Sequence, residues 1–276
     1  MKRWKKPQHK FLKAGEILLR PIQPNVGVNA FYYRELLKAI QEMDKSISYW
    51  LTARYDKHEE QITGDIDPIS DLASLLKKLA SKWQERFANL SKELPKKFIS
   101  LVVTSQESAF RASLKNSGFE FSFKPTIRQK QIIKAATIEN VELINSIPNQ
   151  YFDQIHTMVM NSVMQGGDLG GLTKELQNRF QITKRRAALI ARDQNQKVFS
   201  TLNVAASLDA GITEGIWRHS PLRRNARKTH LEADGKRFNL EKGLSINGKY
   251  TQPGQEINCN CTYVAIIPEN DGLKPI

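Results

Sequence analysis

Up to Ala210, apolar residues recur mostly at three- and four-residue steps, the spacing of helices with one buried face. From 29 to about 58, Phe31, Leu36, Leu37, Ile40, Met43, Ile47 and Leu51 share a side. A second helix is predicted from 68 to about 94, with Ile69, Leu72, Leu75, Leu76, Leu79, Trp83 and Phe87 inward. Pro95 has no N–H and crowds the preceding turn, so it is expected to interrupt that helix. A third then runs from 98 to 114 and stops at Asn116-Ser117-Gly118, a C-cap sequence. Phe119, Phe121 and Phe123 alternate ahead of Pro125 and predict a short extended segment. Further helices are predicted over 137–146, from Pro148 to about 165 with Gly166-Gly167 closing it, and over 169–180. A last one runs from a capping Thr183 to Ala210, where Gly211 stops it.

Beyond Gly211 the period falls to two. Ile212, Glu214, Ile216 and Arg218 alternate as one face of a strand over 212–219. Residues 225–233 predict a short helix stopped by Asp234-Gly235. Gly243, Asn247-Gly248 and Pro253-Gly254 mark turns, and the apolar run 261–267 reads as a closing strand. The fold class is therefore α+β and mainly α-helical: an extended helical N-terminal body followed by a small C-terminal α+β module. The organisation read from these patterns has four parts. A basic flexible arm spans 1–25 and a helical region 26–136. A second domain follows over 137–268, made of helices 137–210 and the module 212–268, and 269–276 is a tail. The arm is read from Lys2, Arg3, Lys5, Lys6, Lys10 and Lys13, with no acid before Glu16, and from Pro7, Pro21 and Pro24.

Composition narrows the class. The chain has 276 residues, 40% apolar and 25% charged, which suffices for one large or two small cored domains. No run reaches the roughly 20 apolar residues of a membrane helix, and no apolar stretch follows the basic N-terminus, so neither a membrane span nor a secretory signal is read. The formal net charge of +14 favours a polyanion or an acidic protein surface as partner. Its densest clusters are Lys184, Arg185 and Arg186, placed at the predicted helix start, and Arg218, Arg223, Arg224, Arg227 and Lys228. Each is read either as a solvated face or as a DNA-phosphate contact. Aromatic interleaving is absent, which argues against stacking on single-stranded bases.

Cys259 and Cys261 are the only cysteines. A disulfide between them is geometrically poor. If both lie in the closing strand they share one face, and there they either ligate zinc or pack as small buried thiols. His230 and His219 are the further donors, with Asp234 as a substitute. His230 has two other readings: a hydrogen-bonded core histidine, or a general base beside Asp234. No nucleophile elbow, oxyanion loop or set of metal-binding carboxylates accompanies it. Arg192 and Asp193 lie mid-helix, either on a solvated face or as an anchor in which Arg192 grips a carboxylate of the C-terminal module.

Several stretches, taken in order, resemble the phage Mu protein F-like, or phage head morphogenesis, family of minor head proteins. They are Glu139-Asn140-Val141-Glu142-Leu143-Ile144, Ile147-Pro148 and Gly166-Gly167; then the helix Arg186-Ala187-Ala188-Leu189-Ile190-Ala191-Arg192-Asp193-Gln194; then Gly211-Ile212 with Trp217. Arg227, His230, Asp234-Gly235 and Phe238 follow, and last come Pro253-Gly254 and Ile257-Asn258-Cys259-Asn260-Cys261. Asn260 stands where the family usually has arginine, so no role carries over to that position. The resemblance covers about 137–268 and implies a virion protein present in few copies near the portal, without catalytic activity, aiding head assembly, DNA packaging or DNA delivery. Its expected partners are portal or capsid proteins and double-stranded DNA bound without sequence preference, with no small-molecule substrate. It would reside in the phage head, and in the host cytoplasm during assembly. Two other classes compete: a metal-dependent nuclease using His230 and Asp234, and a host DNA-binding regulator, which lacks a helix-turn-helix signature here.

Overall fold

The computed structural model describes residues 12–60, 68–122, 124–164, 169–220, 227–268 and 274–275. In chain order its elements are β1 (Ile17–Leu18), α1 (Val26–Glu60), α2 (Pro68–Lys115), β2 (Phe119–Glu120), α3 (Ile127–Met164), α4 (Leu169–Asp209), β3 (Glu214–Arg218), α5 (Lys228–Ala233), β4 (Arg237–Asn239), β5 (Leu244–Ile246), β6 (Lys249–Thr251), β7 (Thr262–Ile267) and β8 (Lys274–Pro275). The expected class, mainly helical α+β with a small C-terminal sheet, is what the chain adopts. Among the described residues, no helix is long and apolar enough to cross a membrane.

Three helices run on where breaks were expected. Pro95 lies inside α2 and Pro148 inside α3. Each removes one i→i−4 hydrogen bond, a cost of about 3 kcal/mol in a free helix. Both prolines sit on the buried stripe, beside Leu94 and Phe98 in one helix and Ile147 and Tyr151 in the other, so apolar burial offsets the lost bond. Thr183 is not a cap either. It lies within α4 and its hydroxyl donates to the Arg179 carbonyl one turn back, at 3.0 Å. Lys184, Arg185 and Arg186 are therefore mid-helix, and the anion site expected of a helix start does not exist there.

The chain divides into two compact units that interleave in sequence, rather than following the expected split between 26–136 and 137–268. One comprises Asn29–Phe98 and Thr137–Ala191; the other comprises Met1–Val28, Ile99–Ala136 and Arg192–Ile276. Among the described residues the first is wholly helical. Its core is built from the buried stripes Leu36, Ile40, Met43 and Ile47 of α1, Leu76, Leu79, Trp83 and Phe87 of α2, and Ile144, Tyr151 and Ile155 of α3. Two buried hydroxyls there are paired: that of Tyr32 donates to Asn140 Oδ1 at 2.8 Å, and that of Tyr151 to Asp44 Oδ1 at 2.6 Å.

The second unit carries the antiparallel sheet β1-β7-β3-β4. All six residues of β7 are buried, which is why that strand reads as an unbroken apolar run. Trp217, Phe238, Leu240 and Tyr263 of the sheet region share a core with Phe110 and Leu114 of α2 and with Ala206 and Ala210 near the end of α4. α4 ends in a Schellman arrangement: the Ile212 N–H reaches the Ser207 carbonyl at 2.8 Å, with Gly211 left-handed at φ 81°. Asn247 and Gly248, at φ 52° and 77°, turn the β5–β6 hairpin.

The segment read as an arm is partly built into this sheet. Ile17 and Leu18 pair with Ile267 and Ile266, and Leu19 is buried. Residues 1–11, which hold most of the arm's cations, lie outside the described residues. Within the expected tail, Lys274 and Pro275 pair with Glu120 and Phe119.

Candidate functional site

One face of α4 holds the loop that carries the cysteines. Arg192, Asp193, Gln196 and Ser200 fall within about 100° of each other around a helix of 3.6 residues per turn. Arg192 Nη2 donates to Asn258 Oδ1 at 2.9 Å, and the Asn258 N–H donates to Asp193 Oδ1. Gln196 Nε2 donates to the Cys261 carbonyl at 3.1 Å, and the Ser200 hydroxyl donates to the Pro253 carbonyl. Gly254 presses onto the same face at φ 83°, where a Cβ would stand 2.9 Å from Gln196 Nε2 and 3.0 Å from Ser200 Oγ. Asn258 is itself left-handed, at φ 67°, a conformation asparagine tolerates. Arg192 does anchor the C-terminal module, but through the Asn258 amide and not through the carboxylate expected from the sequence.

The loop delivers Cys259 and Cys261 just ahead of β7, not within it, so a shared strand face is not what brings the two thiols together. The β3–β7 ladder pairs Arg218 with Thr262; one step further, the same antiparallel register sets His219 opposite Cys261. From the other side α5 supplies His230, which is 4% exposed. His230 Nδ1 lies 3.4 Å from Cys259 Sγ and 3.6 Å from Cys261 Sγ. His219 Nδ1 lies 3.8 Å from Cys261 Sγ. The donor atoms of His230, Cys259 and Cys261 all fall within 4.8 Å of one another, and half-buried His219 joins that trio through Cys261.

Around the sulfurs, Trp217 is fully buried and meets the His230 ring edge-on, with centroids 5.5 Å apart. Its indole N–H has no well-formed hydrogen bond, but it pulls the Cys261 thiol toward ionisation. The thiols act on each other more strongly. Hydrogen bonding with Cys261 holds the Cys259 thiol below the usual range against the effect of burial, and the same contact, with burial, pushes Cys261 up. On the far side of the imidazole, His230 Nε2 is 3.2 Å from Glu256 Oε2, though off the line of a hydrogen bond. Glu256 is held in turn by Arg227, whose Nη1 is 3.0 Å from the same oxygen and whose Nη2 donates to the Ile257 carbonyl at 3.0 Å.

Asp234 takes another role than those expected of it. Its Oδ1 accepts the His219 N–H at 2.9 Å, while the ring nitrogens of His230 face the thiols and Glu256. The basic residues separate. Lys228 is exposed at the start of α5 and Arg218 half-buried in β3, whereas Arg227 is engaged with Glu256. Arg223 and Arg224 lie outside the described residues. In the helical unit Arg185 is exposed and Lys184 half-buried, while Arg186 donates to Ser146 Oγ at 2.8 Å, with burial lowering its pKa. Glu256, Gln196 and Ser200 were not singled out from the sequence. Their only signals there are the helical spacing of the last two after Arg192 and the place of Glu256 three residues before Cys259.

Residues 153–264 match the family model described as Phage Mu protein F like protein, so the resemblance read from the motifs is borne out over that stretch. The matched segment contains the α4 face, the cysteine loop and both histidines. An uncharacterized protein of Haemophilus influenzae is 25% identical over 267 residues. The alignment takes in 95% of this chain but 58% of that protein, so the chain spans little more than half the length of its relative. No solved structure matches.

Proposed function

We propose that this chain, with its Mu F-like segment at 153–264, is a minor head protein of a tailed bacteriophage. In this reading it is a virion component that acts near the portal in head assembly, DNA packaging or DNA delivery, with portal or capsid proteins as partners. The observation that carries the reading is the family match, together with the use the fold makes of the matched residues. Arg192, Asp193, Gln196 and Ser200 are spent on holding a loop, which is architectural work. A non-catalytic role fits the same geometry. His230 is enclosed by two thiols and a carboxylate, and Asp234, its partner in a nuclease reading, binds a backbone amide.

The net charge of +14 supports non-specific contact with double-stranded DNA. Of the described members of the basic clusters, Arg227 is ion-paired and Arg186 is hydrogen-bonded to Ser146, which leaves Lys184, Arg185, Arg218 and Lys228 as the cations best placed for phosphate contact. Mass spectrometry of purified particles from the phage that encodes the chain tests the proposal. A few copies per particle, retained in DNA-free heads, is the expected result; absence from both full and empty heads would refute it.

A further inference from the structure

We propose that Cys259, Cys261, His230 and His219 bind one zinc ion in a closed, structural site, and that Glu256 orients His230 on it. The distances fit an ion better than a set of thiol hydrogen bonds. With Zn–S near 2.3 Å and Zn–N near 2.0–2.1 Å, a tetrahedron has S···N edges of about 3.6 Å. The three observed separations, 3.4, 3.6 and 3.8 Å, bracket that value. Thiol-to-imidazole hydrogen bonds would give each ring nitrogen one sulfur neighbour, because the nitrogen has one lone pair. His230 Nδ1 instead has two sulfurs, and Cys261 Sγ has two nitrogens. That convergence is how donor atoms stand around a common ion.

The surroundings point the same way. A metal on Nδ1 leaves the imidazole proton on Nε2, and Glu256 Oε2 stands 3.2 Å from that nitrogen, close enough to accept the proton after a small turn of the carboxylate into line. Arg227 holds the same carboxylate oxygen, with its Nη1 3.0 Å away. With the bond from Nε2 to Glu256 made, the three groups would form the carboxylate–histidine–metal relay that sets tautomer and ring angle at zinc centres. The buried indole N–H of Trp217 lacks a well-formed partner beside the site, where its ring meets the His230 ring edge-on, and a metal-bound thiolate is a strong acceptor for such a donor. Charge also balances. Binding of Zn²⁺ to two thiols and two neutral imidazoles releases two protons and leaves a site of zero net charge, which a buried position tolerates. Three donors come from the folded core; His219, half-buried at the end of β3, lies outside that mutually close group and approaches it through Cys261, so a turn of its ring toward the trio supplies the fourth donor.

The test uses the full chain. Protein purified without chelator is expected to carry about one equivalent of zinc by elemental analysis, and a strong chelator should lower its Tm. Apoprotein titrated with Co²⁺ should develop a thiolate-to-cobalt charge-transfer band and the intense visible bands of tetrahedral cobalt. Cys259→Ser and Cys261→Ser should each reduce the charge-transfer intensity. Should those variants fail to fold, Glu256→Gln keeps all four ligands and is expected to weaken zinc binding by about 10–100-fold. His219→Ala should still bind metal, with an open coordination position and an altered cobalt spectrum. Wild-type protein that contains no zinc, whose Tm ignores chelator and whose cobalt titration shows no thiolate band, would overturn the proposal. A cobalt spectrum unchanged by His219→Ala would overturn the four-ligand set. None of these readouts depends on the phage assignment.

Discussion

Arg237 grips Glu16 with two hydrogen bonds, from Nη1 at 2.9 Å and Nη2 at 2.8 Å, tying the turn before β1 to strand β4. The same guanidinium also holds Glu214 of β3 through Nε at 3.1 Å and through Nη2. One cation thus joins the turn before one edge strand to the opposite edge of a sheet whose order is β1-β7-β3-β4. The Glu16 side chain is only 7% exposed, so solvent screens the pair weakly.

That clamp predicts an acid-sensitive contribution to stability. Hydrogen bonds from Arg237 hold the Glu16 carboxyl down at about 2, from 4.5, and lower Glu214 as well. Because the folded-state values are depressed, the contribution is complete above about pH 4.5 and is lost as pH falls toward 2. Glu16→Gln should cost about 1.5–3 kcal/mol at pH 6, the range for hydrogen bonds to charged groups. The gap between wild type and variant should narrow below about pH 4.5 and close only near pH 2 in urea unfolding. A gap that is constant with pH would show that the carboxylate charge is not what Arg237 stabilises.

Gly254 and Gly248 offer a matched comparison. Both are left-handed, at φ 83° and 77°, so alanine costs about 1–2 kcal/mol of backbone strain at either. A Cβ at Gly248 meets open space, whereas at Gly254 it runs into Gln196 and Ser200. Gly254→Ala should therefore lower Tm by clearly more than Gly248→Ala and loosen the cysteine loop. Equal losses would mean that the close approach of loop and helix carries no energy.

Asp193→Ala removes the carboxylate that accepts the N–H of Asn258, the left-handed residue just ahead of Cys259. The expected loss is about 1.5–3 kcal/mol, the range for a hydrogen bond to a charged group. Faster hydrogen exchange should be confined to residues 253–261. Exchange that instead rises throughout the sheet would place Asp193 in the global core.

DNA affinity should fall with salt, because each neutralised phosphate releases counterions with a slope near −0.9 per contact. Lys184→Gln with Arg185→Gln should flatten that slope by about two contacts, and Arg227→Gln should leave it alone, since Arg227 serves Glu256. Electrophoretic titration of double-stranded DNA from low to moderate salt checks both. A slope that falls with Arg227→Gln but not with the lysine–arginine pair would move the DNA face to α5.

The helical stripes, the change to period two after Gly211, the Asn247-Gly248 turn and the apolar run of β7 were all legible along the chain. Each depends on residues a few positions apart, so the local pattern carries the signal. The sequence also offered Cys259, Cys261 and His230 as candidates for a common cluster, because cysteine and histidine are few, and the fold brings those three together. The continuity of α2 and α3 through Pro95 and Pro148 was not legible: a proline's local cost is visible in sequence, while the burial that offsets it comes from distant segments. Nor was the true route of the thiols, which meet through a loop strapped to α4 and not through a shared strand face. The place of His219 opposite Cys261 follows from the β3–β7 register, which is set by pairing across more than forty residues. Arg237 with Glu16, and Arg227 with Glu256, look in sequence like any other surface charges. Only tertiary structure decides which charges lie close enough, and dry enough, to hold one another.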